Sequence, residues 1–145
     1  MDALELLKAD HRKVKSMFEE VEQVEGANEK RQIFLRIKAE LELHSFVEET
    51  IFYPAFSQYE VFKALLDISY DEHQEIKDLL EEIDELGEDE GIEAELQDLM
   101  DAVEQHVEEE EDEFFPLVRQ TLNRNELELL GQRLEEAKLE QSKAA

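Results

Sequence analysis

Apolar residues recur every three or four positions through four long stretches of the chain, as they do along one face of an α-helix. The first stretch carries Leu4, Leu7, Val14, Phe18 and Val21, and the second carries Phe34, Ile37, Leu41, Ile51 and Ala55. The third carries Phe62, Leu66, Ile76, Leu80 and Ile83, and the fourth carries Leu96, Leu99, Val103, Phe114 and Leu117. This pattern predicts four amphipathic helices of roughly 22 to 28 residues.

Polar residues and glycines mark where these helices begin and end. Three pairs have the spacing of a capping box at a helix start: Asp2 with Glu5, Ser57 with Glu60, and Asn125 with Glu128. Gly26 with Asn28 separates the first two helices, and the segment Gly87–Gly91 separates the last two. Short connections between four long helices predict an all-α fold, an antiparallel up-down four-helix bundle.

A short fifth helix is predicted at the C-terminus, running to about Lys138. Its apolar positions, which would pack on the outside of the bundle, are Leu127, Leu130 and Leu134. The residues from Gln141 to Ala145 predict a frayed tail. We therefore divide the chain into a bundle at 1–120 and a short C-terminal helix with its tail at 121–145.

The chain contains an internal repeat with an offset of 62 residues. The aligned segments are Asp10-His11 with Glu72-His73, His44 with His106, Glu48-Glu49 with Glu110-Glu111, and Phe52-Tyr53-Pro54 with Phe114-Phe115-Pro116. All four histidines of the chain belong to this repeat. Two copies of one helical hairpin are therefore expected to face each other.

Charge and composition narrow the classes of function. The chain has 41 Asp+Glu against 15 Lys+Arg, a formal net charge of −26, which disfavours nucleic acid and anionic membranes as partners. The lack of cysteine excludes a disulfide framework, a thiol nucleophile and a thiolate-bound metal. No apolar run approaches the roughly 18 residues of a membrane span, and Met1-Asp2 does not begin a signal peptide. We expect a cytoplasmic protein.

Each half of the repeat carries a lone histidine and, on the next helix, a histidine and a glutamate four residues apart. The six residues are His11, His44 and Glu48 in the first half and His73, His106 and Glu110 in the second. Four residues of helix turn about 400° and rise about 6 Å, so each His-x-x-x-Glu pair points from one face. The lone histidines lie at matching distances from the interhelical turns. All six side chains should therefore meet in one layer of the bundle.

A metal site explains this layer better than six separate structural roles. A single core histidine is more often hydrogen-bonded to a neighbour than bound to a metal, and a glutamate is usually a solvated charge. However, each unpaired charge in a bundle core costs several kcal/mol. Nitrogen and oxygen donors without sulfur suit iron, manganese or zinc. Two ions could each take two histidines and share both glutamates, with room left for an oxo or hydroxo bridge and a small ligand.

These ordered motifs resemble the hemerythrin superfamily, and more narrowly its HHE cation-binding branch. The resemblance covers roughly residues 3–120. It implies a non-haem di-iron centre, with iron favoured over manganese and zinc. It also implies the roles of terminal ligand for His11, His44, His73 and His106 and of bridge for Glu48 and Glu110.

The chain departs from the oxygen-carrying members of that superfamily. Lys77 stands where they have a fifth histidine, and Glu110 follows its histidine by four residues where they have an aspartate five residues on. One iron would lose a protein ligand, which argues against simple reversible O2 carriage. Lys15, Lys77, Tyr53 and Tyr70 are candidates for contacts around the metal ligands. The alternatives are surface ion pairs for the lysines and packing for the tyrosines.

The resemblance leaves the physiological reaction open, because HHE relatives are linked to peroxide breakdown, to O2, NO or iron sensing, and to iron handling. We favour breakdown of H2O2 at a di-iron centre. The alternatives are a module that binds, senses or stores O2, NO or iron without turnover, and a helical module without metal. A sensor would need a protein partner or a homodimer, for which the apolar face of the fifth helix is the candidate surface. No glycine-rich phosphate loop points to another enzyme class.

Overall fold

The computed structural model describes residues 1–87 and 90–144, and within them it confirms the all-α bundle. The bundle consists of four long helical segments, here called rods, some of which contain more than one type of helical turn. The first rod is α1 (Ala3–Gln23), and the third is α3 (Lys63–Glu85), which follows a 3₁₀ turn (Glu60–Phe62). The second rod is α2 (Ala27–Val47), continued by a first π-turn (Glu48–Phe52) and a 3₁₀ turn (Tyr53–Phe56). The fourth rod is α4 (Glu93–Glu109), continued by a second π-turn (Glu110–Phe114) and α5 (Phe115–Thr121). The fifth helix is α6 (Arg124–Ala144).

The starts of the first and third rods differ in how well the sequence predicted them. Asp2 caps α1, since its side chain accepts a hydrogen bond from the backbone N–H of Glu5 at 2.9 Å. The predicted cap at Ser57 is wrong. The Ser57 hydroxyl donates instead to the carbonyl of Pro54 at 2.9 Å, and α3 begins only at Lys63. The chain after Pro54 is still finishing the previous rod, so Ser57 ends one element rather than starting the next.

The fifth helix begins two residues earlier and ends later than predicted. Its capping box is formed by Asn123 and Glu126, whose side chains each accept the other's backbone N–H at 2.9 Å. The predicted box at Asn125 is wrong because the same Asn-x-x-Glu spacing occurs twice in succession and the earlier copy caps the helix. The predicted tail is also wrong for residues 141–144, which continue α6. Glu88, Asp89 and Ala145, within the predicted loop and tail, lie outside the described residues.

The second and fourth rods each contain a π-turn that the sequence periodicity did not predict. In the first π-turn the N–H of Tyr53 donates to the carbonyl of Glu48, five residues back. Pro54 follows directly, and Pro116 follows the second π-turn in the same way. A proline has no N–H, and its ring clashes with the carbonyl four residues back in an α-helix, so the wider turn relieves that clash.

Each π-turn inserts one residue into the helical repeat and so rotates the side chains that follow. At the first π-turn, Phe52 and Phe56 become fully buried where the α-helical pattern predicted Ile51 and Ala55. In the second, Phe114 and Phe115 turn inward and Glu113 becomes exposed. The repeat aligns Glu113 with the apolar Ile51, and the rotation explains why a charge is tolerated there.

Two apolar cores fill the bundle, one on each side of a polar layer. The core on the side of the interhelical loops is built around Val14, Phe18, Ile37, Leu80 and Leu99. The core on the side of the π-turns is built around Leu4, Leu7, Phe52, Phe62 and Phe114. The polar layer between them contains all four histidines. The candidate ligands therefore lie inside the bundle, between two apolar cores and away from bulk water.

Helix α6 covers the side of the bundle formed by α1, α2 and the first π-turn. Its predicted apolar face packs on the bundle, since Leu127, Leu130 and Leu134 are at most 5% exposed. The prediction that this face offers a surface to a protein partner is therefore wrong, because it is already buried within the chain. None of the helices in the described part of the chain has the length and apolar character needed to cross a membrane.

Candidate metal centre

The four histidines and two glutamates that the sequence singled out meet in the polar layer. The nearest approaches are His11 Nε2 to Glu110 Oε1 at 3.1 Å, His44 Nε2 to Glu48 Oε1 at 3.1 Å, His73 Nε2 to Glu48 Oε1 at 3.0 Å, and His106 Nε2 to Glu110 Oε2 at 3.4 Å. All six residues are at most 7% exposed. Every imidazole therefore turns its Nε2 toward the two central carboxylates.

The six side chains divide into two groups of donor atoms, and Glu48 belongs to both. One group consists of His11, His44, Glu48 and Glu110, and the other of Glu48, His73 and His106. Within each group the donor atoms lie within 4.8 Å of one another, close enough to surround a single ion. A carboxylate common to two groups can bridge two neighbouring ions. The layer therefore offers two overlapping groups of candidate metal ligands.

The outer nitrogen of every histidine is held by a further carboxylate. The four pairs are His11 Nδ1 with Glu111 at 2.6 Å, His44 Nδ1 with Asp10 at 2.9 Å, His73 Nδ1 with Glu49 at 3.0 Å, and His106 Nδ1 with Glu72 at 2.9 Å. An Nδ1–H that donates to a carboxylate fixes the ring orientation and leaves the Nε2 lone pair free to face the layer. Such outer carboxylates are a common feature of metal-binding histidines.

The roles of these four carboxylates were not predicted from the sequence, although the repeat contained the signal. Asp10 and Glu72 each precede a lone histidine, and Glu49 and Glu111 each follow a central glutamate. Each one reaches across to a histidine on another helix rather than to its own neighbour. An acidic residue beside a candidate ligand in both copies of a repeat was therefore an indication of a supporting role.

Opposite charges hold the metal-free layer together. Burial alone would lower the pKa of His44, but the charge of Glu48 and the hydrogen bond to Asp10 outweigh it and raise the pKa to about 10. Burial likewise opposes ionisation of Glu48, yet His44 and the surrounding hydrogen bonds hold the pKa of Glu48 well below its usual range. A proton on His44 therefore balances the charge of Glu48, in the place that a metal cation would take.

The second half of the layer behaves in the same way. Burial would lower the pKa of His106, but the charge of Glu110 and hydrogen bonds to Glu48 and Glu72 raise that pKa well above its usual value. The pKa of His73 is raised as well, against burial, by its hydrogen bonds to Glu48 and Glu49.

Two buried atoms of the layer test whether a metal ion suits these residues. Among the described residues, His44 Nε2 and Glu48 Oε2 are buried side-chain atoms without a partner in hydrogen-bond geometry, although His44 Nε2 lies 3.1 Å from Glu48 Oε1. Buried polar atoms are nearly always paired, so an unpaired nitrogen and an unpaired oxygen on neighbouring candidate ligands call for a further partner. Both atoms are donors that divalent metals accept. The residues present therefore fit a metal ion.

Tyr53 also lies in the layer, fully buried. Its hydroxyl donates to Glu110 Oε2 at 2.7 Å and lies 3.1 Å from Glu48 Oε1 and 3.2 Å from His73 Nε2. Burial and the charges of both glutamates raise the pKa of Tyr53 well above its usual value, so the hydroxyl keeps its proton in the metal-free protein. The π-turn places this side chain, since Tyr53 is the residue immediately after it.

The other three candidates lie farther from the layer. Lys77 is exposed at the surface and pairs with Glu49 at 3.2 Å, one contact removed from His73. Lys15 is exposed and lines a surface groove beside His11. Tyr70 is 41% exposed and packs edge-on against the ring of Tyr53 at 5.3 Å.

Comparison with known families gives this layer a precedent. The model of the hemerythrin HHE cation-binding domain matches residues 2–118 of the chain. The chain belongs to this family. The match confirms the resemblance found in the sequence motifs, and it includes all four histidines and both central glutamates.

The HHE domain is also similar to part of a longer protein. A protein named DNA nickase from Nostoc sp. (strain PCC 7120 / SAG 25.82 / UTEX 2576) is 28% identical over 129 residues, which are 88% of this chain and 36% of that protein. The chain therefore spans little more than a third of the length of this relative. No solved structure matches the chain.

A small cavity in the HHE domain adjoins the histidine layer on the side of the interhelical loops. Its volume of about 20 Å³ is enough for one water molecule. The four histidines line one side of it, and the apolar side chains that line the other side include Val14, Leu41, Ile76 and Val103. Each of these four apolar residues lies three positions, about one helical turn, from one of the four histidines.

Two surface grooves lead toward this cavity from different sides of the bundle. The groove between α1 and α4 has a volume of about 590 Å³ and shares His11, Val103 and Val107 with the cavity. The groove between α2 and α3 has a volume of about 480 Å³ and shares Leu41, Ser45 and Ile76 with it. Each groove lies between one helix from the first half of the repeat and one from the second.

Proposed function

We propose that this HHE domain holds two iron ions. The observation that carries the proposal is the presence of Glu48 in both groups of donor atoms, because a shared carboxylate is what a binuclear site requires. His11 and His44 would serve one ion, His73 and His106 would serve the other, and Glu110 would join Glu48 between them. An oxo or hydroxo group would complete the bridge. Manganese and zinc fit the same donors but are less favoured.

The favoured reaction is the breakdown of hydrogen peroxide. Two iron ions supply paired one-electron changes, and two molecules of H2O2 give two of water and one of O2 without an outside reductant. The support for a substrate this small is the cavity of about 20 Å³, which has no room for an organic molecule. Its apolar wall limits the water around the layer and so strengthens the electrostatic interactions within it.

The chain's own residues would hold the ligands of the centre in position. The outer carboxylates hold the imidazoles by their Nδ1 atoms and keep every Nε2 directed at the layer. The hydroxyl of Tyr53, which donates to Glu110 at 2.7 Å, holds a proton at the buried side of the layer. Tyr53 belongs to the core on the side of the π-turns and does not line the cavity, so its hydroxyl would hold the Glu110 carboxylate in place rather than contact the substrate.

Binding of O2 or NO, or binding of iron itself, without turnover is the alternative. The cavity that fits peroxide also fits these diatomic ligands, and a sensor or store would need no further group in the layer. The DNA cleavage suggested by the relative's name is not extended to this chain. A net charge of −26 opposes contacts with phosphates, and the chain spans 36% of that relative.

Iron content and peroxide turnover test the proposal together. We expect about two irons per chain in protein grown with iron, and H2O2-dependent O2 evolution above that of the same amount of free iron. Glu48→Ala removes the shared carboxylate and should lower iron content to one equivalent or less, whereas Glu75→Ala, on the exposed face of α3, should leave it unchanged. Two bound irons without turnover would favour the binding alternative. Less than half an equivalent of any metal would contradict the binuclear centre.

A further inference from the structure

Helix α6 lies beyond the family match, which ends at residue 118, yet it packs directly against the layer-bearing helices. At Gly131 the backbone of α6 lies close to the backbone at the start of α1. A Cβ at this position would lie 2.5 Å from the carbonyl oxygen of Met1 and 2.9 Å from the backbone nitrogen of Ala3, so only glycine fits. The backbone of α6 is therefore in contact with the start of α1.

One turn beyond its apolar face, α6 makes a polar contact with Asp10, the carboxylate that holds the outer nitrogen of His44. The ammonium group of Lys138 forms an ion pair with Asp10 Oδ1. The other oxygen of the same carboxylate, Asp10 Oδ2, accepts from His44 Nδ1 at 2.9 Å. The side chains of Lys138 and Asp10 are 22% and 10% exposed, so the pair is partly shielded from solvent. A carboxylate held at both oxygens cannot rotate freely, and its direction fixes the plane of the imidazole.

The second half of the repeat lacks this contact. Glu72 is the counterpart of Asp10 and holds His106 at the same distance of 2.9 Å. In the described part of the chain, no lysine or arginine lies within ion-pair distance of Glu72. The two halves are therefore supported differently: Lys138 of α6 holds the carboxylate behind His44, whereas the more exposed Lys77 of α3 pairs with Glu49 behind His73.

We propose that Lys138 is a positioning residue for one half of the metal centre. Acting through Asp10, it fixes the orientation of His44 and so sets the affinity and coordination geometry of the position formed with His11. The position formed by His73 and His106 does not depend on it. The inference rests on the binuclear centre proposed above, and it makes α6 part of that centre rather than a cover on the bundle.

Titration of the metal-free protein with Co²⁺ tests the inference without a measure of turnover, because the visible absorption of bound Co²⁺ reports its coordination. We expect two equivalents in the wild type. Lys138→Met keeps the aliphatic stem but removes the charge, and it should weaken one equivalent about 10-fold and alter its spectrum, as loss of an outer contact to a metal ligand does. Lys138→Arg should restore wild-type behaviour. Lys143→Met, which removes an exposed charge from the same helix, should change neither equivalent.

A combined variant separates positioning from stability. Asp10→Asn and Lys138→Met should act non-additively on the weakened equivalent, because both interrupt the same contact to His44. Equal weakening of both equivalents together with a lower melting temperature would show a structural role for α6 and overturn the inference. Unchanged titration of Lys138→Met, with two equivalents in the wild type, would overturn the inference alone. Fewer than two equivalents in the wild type would overturn it together with the proposed centre.

Discussion

The hydroxyl of Tyr53 lies 2.7 Å from Glu110 Oε2, so a side chain from the first half of the repeat donates a hydrogen bond to a central carboxylate of the second half. The contact exists because the first π-turn rotates Tyr53 into the layer. Its repeat counterpart, Phe115, has no hydroxyl and stacks on His11 instead, with ring centroids 6.0 Å apart. The two halves of the centre therefore differ in a hydrogen-bond donor as well as in their outer contacts.

Tyr53→Phe should destabilise the metal-free protein by about 1 to 3 kcal/mol, because it leaves the buried Glu110 carboxyl without the hydrogen bond from the Tyr53 hydroxyl. The measurement is the free energy of unfolding from denaturant titration. Tyr70→Phe, at a position 41% exposed, is the matched control and should change that free energy by less than about 0.5 kcal/mol. Equal effects of the two substitutions would contradict the assigned hydrogen bond.

Glu72→Gln should weaken metal binding about 10- to 100-fold, because Glu72 holds the outer nitrogen of His106 at 2.9 Å. The amide keeps the size of the side chain but loses the charge that favours the Nδ1–H form of the ring. Glu75→Gln removes the same charge from the exposed face of the same helix and should leave binding unchanged. The measurement is a competition titration with a chromophoric chelator. A similar affinity for both variants would remove the supporting role from Glu72.

Metal removal should lower the melting temperature while leaving the helix content largely intact. Without metal, Glu48 and Glu110 face each other in a buried layer, where the raised pKa values of His44, His73 and His106 provide the compensating positive charge. A metal at 100 times its Kd would add about 2.7 kcal/mol to the free energy of unfolding. Thermal melts monitored by circular dichroism, before and after a chelator, measure the difference. Identical melts of metal-loaded and verified metal-free protein would show that the layer does not bind the metal in the folded state.

The six central residues could be predicted from the sequence because the four histidines lie in regular α-helix and the two glutamates are the first residues of the π-turns. Up to Glu48 and Glu110 the chain follows ordinary helical periodicity, so a spacing of four places both members of each pair on one face. Beyond those residues the periodicity fails. One inserted residue per π-turn brings Tyr53 inward and turns Glu113 outward, and helical periodicity alone does not show it.

The outer contacts were beyond the sequence for a different reason. Whether Asp10 or Glu49 meets solvent or a histidine depends on the rotation of two packed helices, which the pattern of one helix does not fix. The contact of Lys138 with Asp10 joins residues 128 positions apart and depends on where α6 docks. Contacts of this kind follow from tertiary packing rather than from local spacing.

The start of α6 gives a stability test that distinguishes the observed cap from the predicted one. Asn123→Ala should cost about 1 kcal/mol, because it removes the side chain that accepts the N–H of Glu126 at 2.9 Å. Asn125→Ala, at an exposed position inside the first turn, should change the free energy of unfolding by less than about 0.5 kcal/mol. Denaturant titration of both variants provides the comparison. A larger cost at Asn125 would place the cap where the sequence alone had placed it.

The cavity beside the histidines gives the sharpest test of what the centre accepts. Val103 lines both the cavity of about 20 Å³ and the groove between α1 and α4, so Val103→Phe would fill the space with its ring. We expect azide binding and peroxide turnover to fall at least about 10-fold with metal content unchanged, since a loss of 1.4 kcal/mol in binding is tenfold. Overpacking should cost about 1 to 3 kcal/mol in stability. Val21→Phe makes the same change in the same apolar core but away from the cavity, so it should cost similar stability and leave azide binding intact. Equal azide affinity in the two variants would show that small ligands do not reach the centre through this cavity.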